Sequence, residues 1–136
     1  MLSHKNISAN VYNMSKYVNI RSGGGLSVLP MHHTYELTCH VFTAIYQGVF
    51  VAICEGLRYI QPNLKESGAS VMLGVPIVFE TMHKKVWKQA EASGAADKMK
   101  KMMALSRRTK MFNQPKVMRK VFDKIHSSLG GNIDLF

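Results

Sequence analysis

A chain of 136 residues with 46% apolar and 9% aromatic side chains can build one compact core, which excludes disorder as its overall state. No apolar run reaches the roughly 18 to 20 residues of a membrane span, the stretch from Val41 to Cys54 being broken by Thr43, Gln47 and Gly48; the opening His4-Lys5-Asn6 is not a signal peptide; and Cys39 and Cys54 are too few for a disulfide framework, which points to a reducing, cytoplasmic setting. The net charge of +10 is uneven, ten Lys or Arg facing only Asp97 and Asp123 between Ala95 and His126, so a general nucleic-acid binder is disfavoured.

In chain order, Ile7, Val11, Met14 and Val18 recur at three- and four-residue steps and predict a helix with one buried face, ended by Ser22, Gly23, Gly24 and Gly25. Leu26 to Met31, closed off by Pro30, reads as a short buried strand, and Thr34 to Tyr46 as a helix that stops at Gly48. The run Val49 to Cys54 is apolar on both faces, as in a parallel sheet covered by helices on each side. A short helix over Tyr59 to Ser67 tolerates Pro62 only near its first turn. Val71 to Val75 is a third strand, Pro76 starts a helix with Val78, Met82 and Val86 on one face, and Gly94 closes it. This alternation selects an α/β fold, a mostly parallel sheet with helices on both faces.

The remainder differs. Met99, Met102 and Met103 lie on a basic helix, Pro115 opens another with Met118, Val121, Phe122, Ile125 and Leu129 as a stripe, and Asn132 to Phe136 suits one more strand after Gly130 and Gly131. The expected organisation is an α/β portion over 1–94, a basic helical insertion over 95–130, and the start of a strand over 131–136. An apolar finish without a polar tail, and a start that runs straight into a helix, predict that both ends are cut from a longer protein.

Four segments carry a resemblance. Met1-Leu2-Ser3-His4-Lys5-Asn6 looks like the segment directly after the phosphate-binding loop of AMP-forming synthetases; Val28-Leu29-Pro30-Met31-His32-His33-Thr34-Tyr35-Glu36 resembles their strand-to-helix turn beside the acyl site; Gly74-Val75-Pro76, followed by Ile77, Val78 and Phe79, resembles the strand and helix start lining the acyl pocket; and Leu129-Gly130-Gly131-Asn132-Ile133 resembles the approach to the segment that packs on adenine. All four stand in the family's order and together span essentially the whole chain, which is similar to part of the large N-terminal domain of AMP-forming acyl-CoA synthetases. The basic insertion points to the long-chain fatty acid branch.

The resemblance implies a parent enzyme that joins a fatty acid to AMP from ATP, with Mg2+, and then passes the acyl group to coenzyme A. It also implies that the phosphate-binding loop, the mobile catalytic lysine and a Tyr-Gly-x-Thr-Glu segment lie outside this chain, so the fragment is expected to be inactive alone, to hold no cofactor tightly, and to carry no complete catalytic set.

Among individual residues, the resemblance marks His33 as the family's active-site histidine in preference to His32, with Tyr35, Gly74, Val75 and Pro76 as further acyl-site residues. Its place after a parallel strand suits ligand binding, although His33 could equally serve only as the cap of the next helix. His32, His33, Cys39 and His40 cluster, and His33 and His40 could share a helix face, but no standard zinc spacing appears. The basic segment 98–124 suits peripheral contact with an anionic membrane, attraction of nucleic acid or coenzyme A phosphates, or simply a solvated face. The competing reading of the whole chain is a stand-alone module that binds membrane or nucleic acid through these helices, with no nucleic acid expected if the synthetase reading holds.

Overall fold

The computed structural model describes residues 2–20, 23–109 and 114–134. By internal packing it divides into two compact units, one formed by 1–74 with 128–136 and the other by 75–127. The segments expected from composition follow charge, whereas packing groups α5 (Pro76–Ala92) with α6 (Ala96–Arg108).

The first unit opens with α1 (His4–Tyr17), started by a reciprocal capping box in which Ser3 and Asn6 each bond the other's backbone N–H. Three strands follow: β1 (Gly25–Ser27), β2 (Val51–Ile53) and β3 (Val71–Met72). They form one all-parallel sheet in the order β2-β1-β3, with Leu26 beside Ala52 on one side and Met72 on the other. The expected parallel neighbours are therefore present, with the first strand at the centre.

The strands are shorter than the apolar runs that announced them. After β1 the chain turns, the His33 N–H donating to the Pro30 carbonyl at 3.0 Å, so Val28 to Met31 leave the ladder. The expectation that Val49 to Cys54 is buried on both faces is not met: β2 is an edge strand and Ile53 is 65% exposed. Apolar composition cannot tell a central strand from an edge strand. β1 takes the centre because its neighbours can approach its glycines closely. At Gly24, whose φ is +61°, a Cβ would lie 2.6 Å from the Phe50 carbonyl oxygen, so only glycine allows the β1–β2 contact as it stands.

Between the strands lie α2 (Thr34–Glu36), a π-helical segment (Leu37–Phe42) and α3 (Thr43–Tyr46), which together form the expected helix over 34–46. A 3-10 turn (Leu57–Tyr59) leads into α4 (Ile60–Ser67), with Pro62 in its first turn and Gly68 in the left-handed conformation at its end. Leu26, Ile60, Leu64 and Met72 are fully buried, and Ile20, Ala44 and Val71 pack together as a core cluster with Val18, Val49 and Val51 against it. The returning chain packs on α4, where a Cβ at Gly130 would meet the Leu64 carbonyl at 2.7 Å, and the Asp134 N–H bonds the Ser70 carbonyl at 2.9 Å beside β3. No strand forms over 132–134; Leu135 and Phe136, the rest of that expected strand, lie outside the described residues.

The second unit comprises α5, α6, α7 (Pro115–Val121) and α8 (Asp123–Ser128). Pro76 begins α5 and Gly94, at φ +66°, follows its end, as the sequence predicts. Val78 and Met82, four residues apart, are its buried positions.

Candidate functional site

Parallel strands carry their loops of interest at one edge, the carboxyl ends, and both β1 and β3 deliver expected site residues there. The Pro30–His33 turn swings the chain from β1 into α2, and His33 is the N-cap of that helix, with φ −84° and ψ 130°. Its Nδ1 accepts the Tyr35 N–H at 3.2 Å, satisfying one of the donors that every helix start leaves over. An imidazole that accepts at Nδ1 and is neutral carries its proton on Nε2. The exposed edge of His33 is thus a hydrogen-bond donor.

His33 and Tyr35 are brought together in this cap, while His32 sits exposed in the preceding turn. Gly74 follows β3 in the first unit; Val75 is the exposed N-cap of α5 and Pro76 its first residue, both in the second unit. Tyr35 also lines a groove of about 380 Å³ in the first unit, together with Leu2, Ile7, Met14, Thr38 and Cys39. Its walls are mainly apolar, and burial pushes the Cys39 thiol above its ordinary pKa by penalising the thiolate.

Beneath the cap lies a constellation that periodicity did not reveal. Glu36 and His40 are buried, with the His40 Nδ1 and a Glu36 carboxylate oxygen 2.8 Å apart. The other oxygen, Oε2, and the His40 Nε2 find no hydrogen-bond partner among the described residues. The His40 ring fills the place where Gly25 has no side chain: a Cβ there would fall 2.0 Å from Nε2. His33 and His40 consequently do not share a face, one being an exposed cap and the other a buried partner of Glu36. The available signal was the four-residue spacing of Glu36 and His40 opposite a glycine-rich strand.

The described residues contain no group of three or more His, Cys, Asp or Glu placed to hold a metal ion. Gly23, Gly24 and Gly25 do not form an open phosphate cradle either, because Ser70, Phe50 and His40 occupy the space their missing side chains leave. Neither magnesium nor a triphosphate fits the described residues.

The chain leaving the central parallel strand thus enters a helix capped by the exposed His33, with Tyr35 lining a mainly apolar groove, and the carboxyl edge is where open α/β sheets take their ligands. The model of the AMP-binding enzyme family matches residues 1–132, and the chain belongs to that family. Among curated proteins it is 34% identical over 101 residues to a chloroplastic long-chain-fatty-acid acyl-carrier-protein ligase of Arabidopsis thaliana, covering 72% of this chain and 13% of the relative. It is 28% identical over 120 residues to a probable CoA ligase of Humulus lupulus, covering 80% and 18%. Against long chain acyl-CoA synthetase 2 of Arabidopsis thaliana it is 27% identical over 146 aligned positions, covering 96% and 22%. The chain thus spans between an eighth and a quarter of the length of these relatives. No solved structure matches it significantly.

Proposed function

We propose that this chain is the acyl-site portion of an AMP-forming ligase that activates a fatty acid, long-chain in preference, as an acyl-adenylate and then as a thioester. One observation carries the reading: within a segment matched by the AMP-binding family, the exposed His33 caps the helix that follows the central strand. An imidazole whose Nδ1 accepts the Tyr35 N–H has its other ring nitrogen left to donate to a carboxylate oxygen and orient it for attack on phosphorus, while Tyr35 and the groove beside it suit an alkyl chain. The residues that bind ATP, Mg2+ and the acceptor thiol belong, in this reading, to other parts of the parent enzyme. The likeness to the acyl-carrier-protein ligase supports a second acceptor beside coenzyme A, the carrier-bound thiol.

The test separates cap from site. In the parent enzyme, His33→Ala removes both roles, whereas His33→Asn keeps a good N-cap and loses the imidazole. Adenylation turnover per folded molecule is expected to fall about 10- to 100-fold in both variants and to stay near normal in His32→Ala. Full turnover in His33→Asn would reduce His33 to a structural cap and overturn the assignment.

A further inference from the structure

We infer that the groove between α6 and the α7–α8 pair is a docking surface for an anionic phospholipid bilayer. The unit that contains it, residues 75–127, carries thirteen Lys or Arg and four Asp or Glu, and so holds +9 of the chain's +10. The groove has a volume of about 350 Å³. Its floor is apolar, with Met99, Met102, Val121, Phe122 and Ile125 all half-buried and therefore reachable. Its rim is basic: Lys98, Lys120 and Lys124 are exposed around it, against Asp123 as the one acidic lining residue.

Charge complementarity and the apolar floor together select the partner. Lysines on flexible stems reach lipid phosphates while their methylenes and the thioethers below enter the interface. A nucleic acid would also answer the charge, but it gains little from a thioether floor, and the described lining of the groove offers one aromatic ring, Phe122, for base stacking. No helix among the described residues is long and apolar enough to cross a membrane, so the contact is a surface one. This inference does not depend on the acyl-ligase reading; a peripheral site would serve any enzyme whose substrate partitions into lipid.

The experiment uses the 136-residue chain with vesicles of pure phosphatidylcholine, and with vesicles containing about one-third phosphatidylglycerol. Co-sedimentation is expected only with the anionic vesicles, and should weaken as salt rises from about 50 to 500 mM. The triple variant Lys98→Glu, Lys120→Glu, Lys124→Glu should lose roughly 100-fold in partitioning. Lys5→Glu, Lys16→Glu, Lys65→Glu, with the same change in net charge on the other unit, should stay within about threefold of the parent. Lysine acetylation read by mass spectrometry on the unmutated chain keeps the test decisive if the first variant misfolds: vesicles should protect Lys98, Lys120 and Lys124 more than Lys5 and Lys65. Failure to bind anionic vesicles, equal binding to neutral ones, equal loss in both triple variants, uniform acetylation, or tighter binding to a single-stranded RNA homopolymer would each overturn the proposal.

Discussion

Gly25, Glu36 and His40 show how one missing methyl group can organise a site. The imidazole can enter the sheet only because Gly25 has no side chain, and it brings Glu36 into the interior with it. Gly25→Ala should therefore destabilise the chain by about 1–3 kcal/mol through overpacking. The same change made on top of His40→Ala should cost almost nothing, because the clashing ring is gone; urea midpoints for the four members of this cycle measure the coupling. Equal costs in both backgrounds would mean that His40 does not occupy that place. Cys39 yields a second expectation at this scale. Its thiol pKa is raised by burial, so at a given pH less thiolate is present and alkylation by iodoacetamide should be slower than for glutathione, with the rate still rising at pH values where an ordinary thiol has levelled off. A rate profile that levels off at or below the ordinary thiol range would contradict the burial seen here. The sequence could show Glu36 and His40 as a spaced pair, but not their burial, since that depends on a glycine eleven residues before Glu36 lying directly beneath the helix.

The helix over 34–46 was legible as an element and illegible in its facing. Its buried positions are Glu36, His40, Thr43 and Ala44, while Ile45 and Tyr46 are more than half exposed. Hydropathy assigns the opposite faces. Each member of the polar set makes one bond inside, Glu36 and His40 to each other and Thr43 to the carbonyl of Thr38 through its hydroxyl at 3.0 Å, although the second polar atoms of Glu36 and His40 stay unpaired among the described residues. That last bond spans five residues and matches the π-helical spacing of Leu37–Phe42, a widening often found where a helix serves a site. The helix is tied to the chain after α1 by Gln47, whose amide accepts the Ile20 N–H at 2.7 Å and donates to the Val18 carbonyl at 2.5 Å. Gln47→Leu keeps the bulk and abandons both backbone groups, so it should cost about 1–3 kcal/mol in chemical denaturation. Gln47→Glu, which retains an acceptor for Ile20 but loses the donor to Val18, should fall between. If both variants match the unmutated chain, water replaces the amide without loss and the bridge contributes nothing to stability.

At the scale of the whole molecule, the described residues build a small parallel sheet and contain no group of three or more His, Cys, Asp or Glu placed to hold a metal ion. The 136-residue chain is accordingly expected to show no fatty-acid-dependent exchange of pyrophosphate into ATP and to form no acyl-adenylate. An exchange signal above a protein-free control would mean that a complete adenylation site is present after all.

Local rules account for much of what could be anticipated. Pro76 and Gly94 mark the bounds of α5 and apolar runs mark which segments become strands, because those preferences act over a turn or two of chain, whereas α1, expected to be ended by Ser22 to Gly25, already stops at Tyr17. The resemblance in four short segments was enough to identify the family, since the order and spacing of motifs survive in sequence alone. Contacts between residues distant in the chain decided the rest. Which strand takes the centre of the sheet depends on what can approach Gly24 and Gly25; which face of the 34–46 helix turns inward depends on where the His40 ring finds room. Neither is encoded in any one segment, because the free energy of burial belongs to pairs of surfaces that meet only after the chain has folded.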